Sequence, residues 1–288
     1  MDTLEGKNAV VTGGANGMGK AFAQRFLAAG MNVTIGDIEE PVLATTLEEL
    51  GEPERLHGLR TDVSDPDSMA ELAAAAEERF GPTGVVCLNA GVAGGMGSME
   101  TLTLSDWRWV MGVNLNGIIN GVISFLGPLK ERDEGHVVIT ASVAGLTSFP
   151  SMGPYNMTKH AAVSIAETLI AELTVGDSKV GVSCLCPGLV MTGIFQSERN
   201  RPEIFKAPGV ADPGADIDPE IAEAMLEVIV TNAKPPEHVA DLVHDAILAD
   251  QFWIFTDDDF DKDIAARLDA IAQRRPPTST ASLLEQYL

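Results

Sequence analysis

Lys7-Asn8-Ala9-Val10-Val11-Thr12-Gly13-Gly14-Ala15-Asn16-Gly17-Met18-Gly19 is the stretch that decides the fold. Through Thr12 it is short and largely apolar, and it reads as a buried strand. Glycines at 13, 14, 17 and 19 then interrupt the pattern. Ala21, Phe22, Phe26 and Leu27 recur at helical spacing through Ala29, and Gly30 closes the helix. Strand, glycine turn and helix in this order bring backbone N–H groups to the positive end of a helix, where a pyrophosphate binds. Gly13, Gly17 and Gly19 hold the three positions of closest approach. A glycine cluster alone is weak evidence, and its place between the first strand and first helix gives it weight.

Working outward, Asn32-Val33-Thr34-Ile35-Gly36 is a second strand that ends at Asp37. Asp37 lies 18 residues beyond Gly19, near the roughly 20 expected of an acid that hydrogen-bonds the ribose hydroxyls of NAD. A 2′-phosphate there would meet a like charge. Asn16 and Ile38, which flank this point, are not basic, so NAD is expected over NADP. Asp37 also suits a helix N-cap before Glu39 and Glu40, and the two roles are compatible.

Tyr155 and Lys159 are separated by one helical turn, and Ser142 precedes them. Residues i and i+4 share a helix face, about 5–6 Å apart at Cβ. A free tyrosine has a pKa of about 10 and is a poor base near neutrality. A nearby ammonium favours the phenolate, so the pair is expected to act as a general base for an alcohol proton. The spacing occurs by chance in many helices, and the rest of the chain supplies its context.

Continuous apolar runs alternate with helical segments. They include Val85–Leu88, His136–Thr140, Val180–Leu185 and Trp253–Phe255. This pattern predicts an α/β fold, a Rossmann-like doubly wound, mainly seven-stranded parallel sheet with helices on both faces. At 288 residues, 45% hydrophobic and 21% charged, one large domain with ample core is expected. That domain spans about residues 1–256. An acidic loop and helical tail follow at 257–288. The acidic start lacks a signal-peptide core, and no apolar run approaches the roughly 18–20 residues of a membrane span. The net charge of −23 argues against nucleic acid and anionic membrane as partners and fits a cytoplasmic protein.

Cys87, Cys184 and Cys186 read as reduced structural thiols, without metal-ligand spacing. The five histidines are scattered. The run Asp257-Asp258-Asp259-Phe260-Asp261-Lys262-Asp263 begins like a calcium loop. It carries Lys262 where that loop needs glycine and Leu268 where it needs glutamate, so no metal site is expected.

Taken in order, TGGANGMG at 12–19, Asp37, Asp62-Val63, Asn89-Ala90-Gly91, Val113-Asn114, Ser142, Tyr155 with Lys159, and Pro187-Gly188 followed by Thr192 resemble the short-chain dehydrogenase/reductase family. The resemblance covers residues 1 to about 195. It implies that Gly13, Asn16, Gly17, Met18, Gly19, Asp37 and Ile38 bind the cofactor. Asp62 and Val63 would hold its adenine, and Asn89, Ala90 and Gly91 would line it. Asn114, in a helix that opens locally, would hold a water in a proton relay with Lys159. Ser142 would place the substrate oxygen against Tyr155, and Lys159 would also bind the nicotinamide ribose. Pro187, Gly188, Val190 and Thr192 would fix the nicotinamide.

The same resemblance implies a substrate lid after Thr192, here about 193–220. Phe149, Met152 and Phe195 are candidate substrate contacts beside Ser142 and Tyr155. With no cation obviously placed for a substrate anion, a lipophilic secondary alcohol or ketone is expected, whether aromatic, terpenoid or steroid-like. Trp109 to Gly121 is similar to bacterial benzylic alcohol dehydrogenases that act on aryl ethers. The family associates through the long helices at about 104–130 and 154–174, which implies a homodimer or homotetramer. A non-catalytic NAD-binding regulator and an epimerase- or lyase-like relative are the alternatives.

Overall fold

Val10 and its neighbours Ala9 and Val11 point to opposite sides of one sheet, and the molecule is built on that alternation. The computed structural model describes residues 1, 3–206 and 231–277. Seven parallel strands are ordered β3-β2-β1-β4-β5-β6-β7. They are β1 (Asn8–Thr12), β2 (Asn32–Asp37), β3 (Leu56–Arg60), β4 (Thr83–Leu88), β5 (His136–Thr140), β6 (Gly181–Cys186) and β7 (Trp253–Phe255).

Helices cover both faces. On one lie α1 (Gly17–Ala28), α2 (Glu40–Leu50) and α7 (Pro236–Ala249). Phe22, Phe26, Val243 and Ile247 pack there with Ala9, Val11 and Ile35. On the other lie α3 (Pro66–Phe80), α5 (Gly117–Arg132) and α6 (Gly153–Val175). Met69, Leu72, Phe125, Leu129 and Leu169 pack there with Val10, Val86 and Ile139. The central strands β1, β4 and β5 are buried and largely apolar on both faces, while β2 turns Thr34 and Gly36 to the second face. The short α8 (Asp261–Ala272) follows β7.

α4 (Leu104–Met111), a π-helical turn (Gly112–Asn116) and α5 run on as one helix. At 29 residues it is long and apolar enough to cross a membrane by length and composition. Ile118, Phe125 and Leu129 bury its inner face in the core. The sequence runs did not include β3, and its composition explains why. Leu56-His57-Gly58-Leu59-Arg60 forms a sheet edge where only Leu56 is fully buried, so no continuous apolar run marks it.

The chain leaves β1 toward β2 and β3, then returns to the other side of β1 for β4. The connections diverge between β1 and β4, leaving a crevice at the carboxyl ends of these strands, where ligands bind in such sheets. Phe22 is fully buried at the centre of one face. Phe22→Ala is expected to cost about 3–5 kcal/mol, read as a lowered urea unfolding midpoint with unchanged slope.

Candidate functional site

Thr12 and Asn89, at the ends of β1 and β4, lace the crevice together. The Thr12 hydroxyl accepts the N–H groups of Asn89 at 2.9 Å and Ala90 at 3.1 Å. The Asn89 amide donates back to the Thr12 carbonyl at 3.0 Å. Gly13 sits at φ +64°, and a Cβ there would lie 2.9 Å from Ala90 Cα. A Cβ on Gly19 would lie 2.0 Å from the Gly13 carbonyl oxygen. Only glycine permits this crossing of turn and helix. Asn16 caps α1 by accepting from Gly17 N–H at 2.7 Å.

Asp37 closes the next side. Its carboxylate accepts from Ala15 N–H at 2.9 Å and Glu39 N–H at 3.0 Å, bracing the glycine turn against the start of α2. Burial pushes its pKa up, opposed by those two N–H groups. Asp62 accepts from the Ser64 N–H and hydroxyl at 2.9 and 2.7 Å.

These groups share a cleft of about 470 Å³ with Gly13, Gly17, Met18, Ile38, Val63, Ala90, Gly91, Tyr155, Lys159, Pro187 and Thr192. Such a volume lies within the range of small-molecule and cofactor sites. At its far end Ser142 ends the β5 segment. It caps the 3₁₀ turn Val143–Gly145 through Ala144 N–H at 3.1 Å and donates to the Pro187 carbonyl at 3.4 Å.

Tyr155 and Lys159 occupy one face of α6, with Lys159 Nζ 5.5 Å from the Tyr155 ring centre. Lys159 is buried and donates to the Thr140 carbonyl at 2.9 Å. Burial pushes its pKa down to about 8. Burial pushes the Tyr155 phenol up, against a hydrogen bond with Ser142. The lowered phenol expected from the sequence is thus reversed in the ligand-free protein. Desolvation of both groups outweighs their attraction at this separation.

Asn114 lies buried in the π turn, and the helix does open there. Its side chain accepts from Val92 N–H at 2.8 Å and donates to the Val92 carbonyl at 2.9 Å. It also donates to Thr158 at 3.2 Å. Asn114 therefore ties the strand loop after β4 to the helix that carries Tyr155. A Cβ placed on Gly91 would lie 3.5 Å from Asn114 Oδ1 and 3.6 Å from Lys159 Nζ. The missing side chain at Gly91 leaves a gap between those two groups.

Several sequence-predicted contacts stand back from the cleft wall. Gly188 N–H donates to Thr256, and Val190 is buried and bridges to Lys234. Phe149 packs edge-on against Phe260 at 6.1 Å, so the start of α8 takes its ring. Met152 bridges to Gly97. Phe195 is largely exposed. Apart from Phe195, which lies in the 3₁₀ segment Gly193–Asn200, these residues lie in irregular chain, where side-chain direction depends on packing with segments distant in sequence. Residues 207–220 of the expected lid, and 278–288 of the tail, lie outside the described residues.

The described part of that lid adds groups the sequence reading missed. Arg201 is buried with Asp106 at 2.7 Å and Glu198 at 2.7 and 2.9 Å, above the Trp109 ring at 4.4 Å. The Ser197 hydroxyl accepts Ala93 N–H at 3.1 Å. Arg199 and Asn200 both reach Glu39, across the cleft. The available signal was two arginines before a proline in a strongly acidic chain.

Residues 7–203 match the short chain dehydrogenase family. The chain therefore belongs to the short-chain dehydrogenase/reductase family of oxidoreductases. A short-chain dehydrogenase/reductase from Burkholderia phymatum, solved in complex with NAD, superposes with a TM-score of 0.90 at 38% identity, over 97% of this chain and 99% of its own. A 1-deoxy-11-beta-hydroxypentalenate dehydrogenase from Streptomyces arenae is 33% identical over 87% of this chain and 82% of its own. A C alpha-dehydrogenase from a Sphingobium species is 27% identical over 88% of this chain and 81% of its own, which accords with the aryl ether dehydrogenase resemblance.

The buried ammonium makes a pH prediction. Lys159 has a folded pKa of about 8 against about 10.5 unfolded, so between these values the unfolded chain holds the extra proton. Stability of the ligand-free protein should therefore gain from this group as pH rises from 8 toward 10. Urea unfolding of wild type and Lys159→Met across that range is expected to show the rise in wild type and a flatter profile in the variant.

Proposed function

We propose that this protein interconverts a secondary alcohol and a ketone using NAD. The observation that carries the reading is the placement of Tyr155, Lys159 and Ser142 at one end of a cleft whose other end is closed by Asp37. Bound NAD would supply the hydride acceptor and return the hydride in the reverse direction. Asp62, Val63, Asn89, Ala90 and Gly91 fit one side of the dinucleotide, and Pro187 with Thr192 the nicotinamide end. The glycine turn would present its backbone N–H groups to the pyrophosphate, and its path requires glycine because a Cβ at Gly13 would meet Ala90 and one at Gly19 the Gly13 carbonyl.

In alcohol oxidation the phenol oxygen of Tyr155 takes the hydroxyl proton. The Ser142 hydroxyl donates to the substrate oxygen and holds it against Tyr155. Protonated Lys159 lies under the ring and stabilises charge on the phenolate. Burial opposes that phenolate in the ligand-free protein. Bound oxidised cofactor would add positive charge to this end of the cleft, and Lys159 supplies it from the protein side. In ketone reduction Tyr155 returns the proton.

Asp37 supports NAD over NADP, because its carboxylate stands at the carboxyl end of β2 with two N–H partners and no ion pair to a cation among the described residues. The apolar wall formed by Trp109, Val113, Ile194 and Phe205 supports a lipophilic substrate. Leu104, Ile119 and Ile123 on the long helix and Met157 on α6 are exposed, which supports self-association through those helices.

NADH formation over a panel of lipophilic secondary alcohols tests the reading. Turnover with NAD is expected, and Tyr155→Phe should lower kcat by about 10²–10⁴-fold while NADH still binds. Asp37→Ser should shift the kcat/KM preference toward NADP. A wild-type preference for NADP, or NADH binding without turnover of any alcohol or ketone, would count against it.

A further inference from the structure

The cleft is roofed at the end far from Tyr155, and the roof is pinned by one ion pair. The segment Gly193–Asn200 leaves Thr192, whose side chain would lie 3.1 Å from a Cβ on Gly17. It crosses the cleft and ends at Glu39, the residue before α2. Arg199 donates from Nε to one Glu39 oxygen at 2.9 Å and from Nη2 to the other at 2.5 Å. Asn200 adds a third bond at 3.0 Å.

The two partners are mounted differently. Arg199 also donates to the carbonyls of Gly193 at 3.2 Å and Gln196 at 2.8 Å, so it is fastened to the segment itself. Glu39 is fastened to the β2 end through its N–H bond to Asp37. Just beyond, Arg201 anchors the chain in a buried ion pair with Asp106. Glu198 of the segment pairs with Arg201 on the anchored side, so among the described residues Glu39 with Arg199 is the charged connection from the segment to the start of α2. Exposed ion pairs generally contribute little to stability, but a bidentate guanidinium–carboxylate pair is the geometry in which they count.

We propose that Glu39 and Arg199 form a latch that holds Gly193–Asn200 across the dinucleotide cleft and sets the rate of cofactor release. The inference rests on the dinucleotide reading above and assigns these residues a positioning role. Arg199 holds the Glu39 carboxyl below the usual carboxylate range, with Asn200 assisting, so the latch stays charged at neutral pH. Salt weakens it by screening.

NADH release from the intact protein, followed by stopped-flow fluorescence, tests the latch. Glu39→Gln should speed release about three- to tenfold, and Arg199→Lys, which loses the planar fork, should fall between it and wild type. The exchange Glu39→Arg with Arg199→Glu should slow release back toward wild type. Added salt should speed release in wild type and leave Glu39→Gln nearly unchanged. Urea midpoints establish that the variants are folded. Intact NADH binding with unchanged release in Glu39→Gln and Arg199→Lys overturns the latch alone. No NADH binding to wild type overturns the dinucleotide reading itself.

Discussion

Thr12, Gly13 and Asn89 join the carboxyl ends of β1 and β4, and every part of the site is placed relative to that seam. One hydroxyl accepts two backbone N–H groups, and one amide returns a bond to the strand it faces. The turn then passes so close to Ala90 that no side chain fits at Gly13. Both strands are held at the point where the connections diverge, and the helix that begins at Gly17 points its N-terminus into the gap. The cleft follows from this arrangement of backbone.

The opposite end of the cleft is held in desolvated surroundings. Lys159 is buried and donates to the Thr140 carbonyl, and burial brings its pKa down to about 8. Holding an ammonium there opposes stability, and the core on both sheet faces offsets it. Functional groups kept in unfavourable surroundings are common at active sites. Asn114 contributes differently. Its three side-chain hydrogen bonds keep the π turn, the loop after β4 and α6 in one arrangement, so Tyr155 approaches the cleft from a rigid helix.

The segment after β6 connects the two ends. Arg201 buries its charge between Asp106 and Glu198, and Arg199 spans to Glu39. An acidic chain thereby uses two of its few cations to place one segment over the cleft. Carboxylates on α4 and at the start of α2 are the fixed points, so the helices on both sides of the sheet contribute to covering the site.

Much of this was legible in the residues themselves. Strict apolar runs, glycine positions and the one-turn spacing of Tyr155 and Lys159 are local properties, and β1, β2, β5, α1 and α6 follow from them. Edge strand β3 was not visible, because an edge needs only one buried residue and leaves no run. Phe149, a candidate substrate contact, packs on Phe260, a contact between residues over a hundred positions apart that no local pattern signals. The direction of the Tyr155 shift also required the fold, since spacing reports proximity to a cation but not loss of water around both groups. Local sequence determined which elements form and which chemistry-bearing residues share a face. Tertiary structure alone decided burial, and with it the charge states at Tyr155 and Lys159. It also decided the pairing of Arg199 with Glu39, because both depend on chain segments that meet only when the sheet is complete.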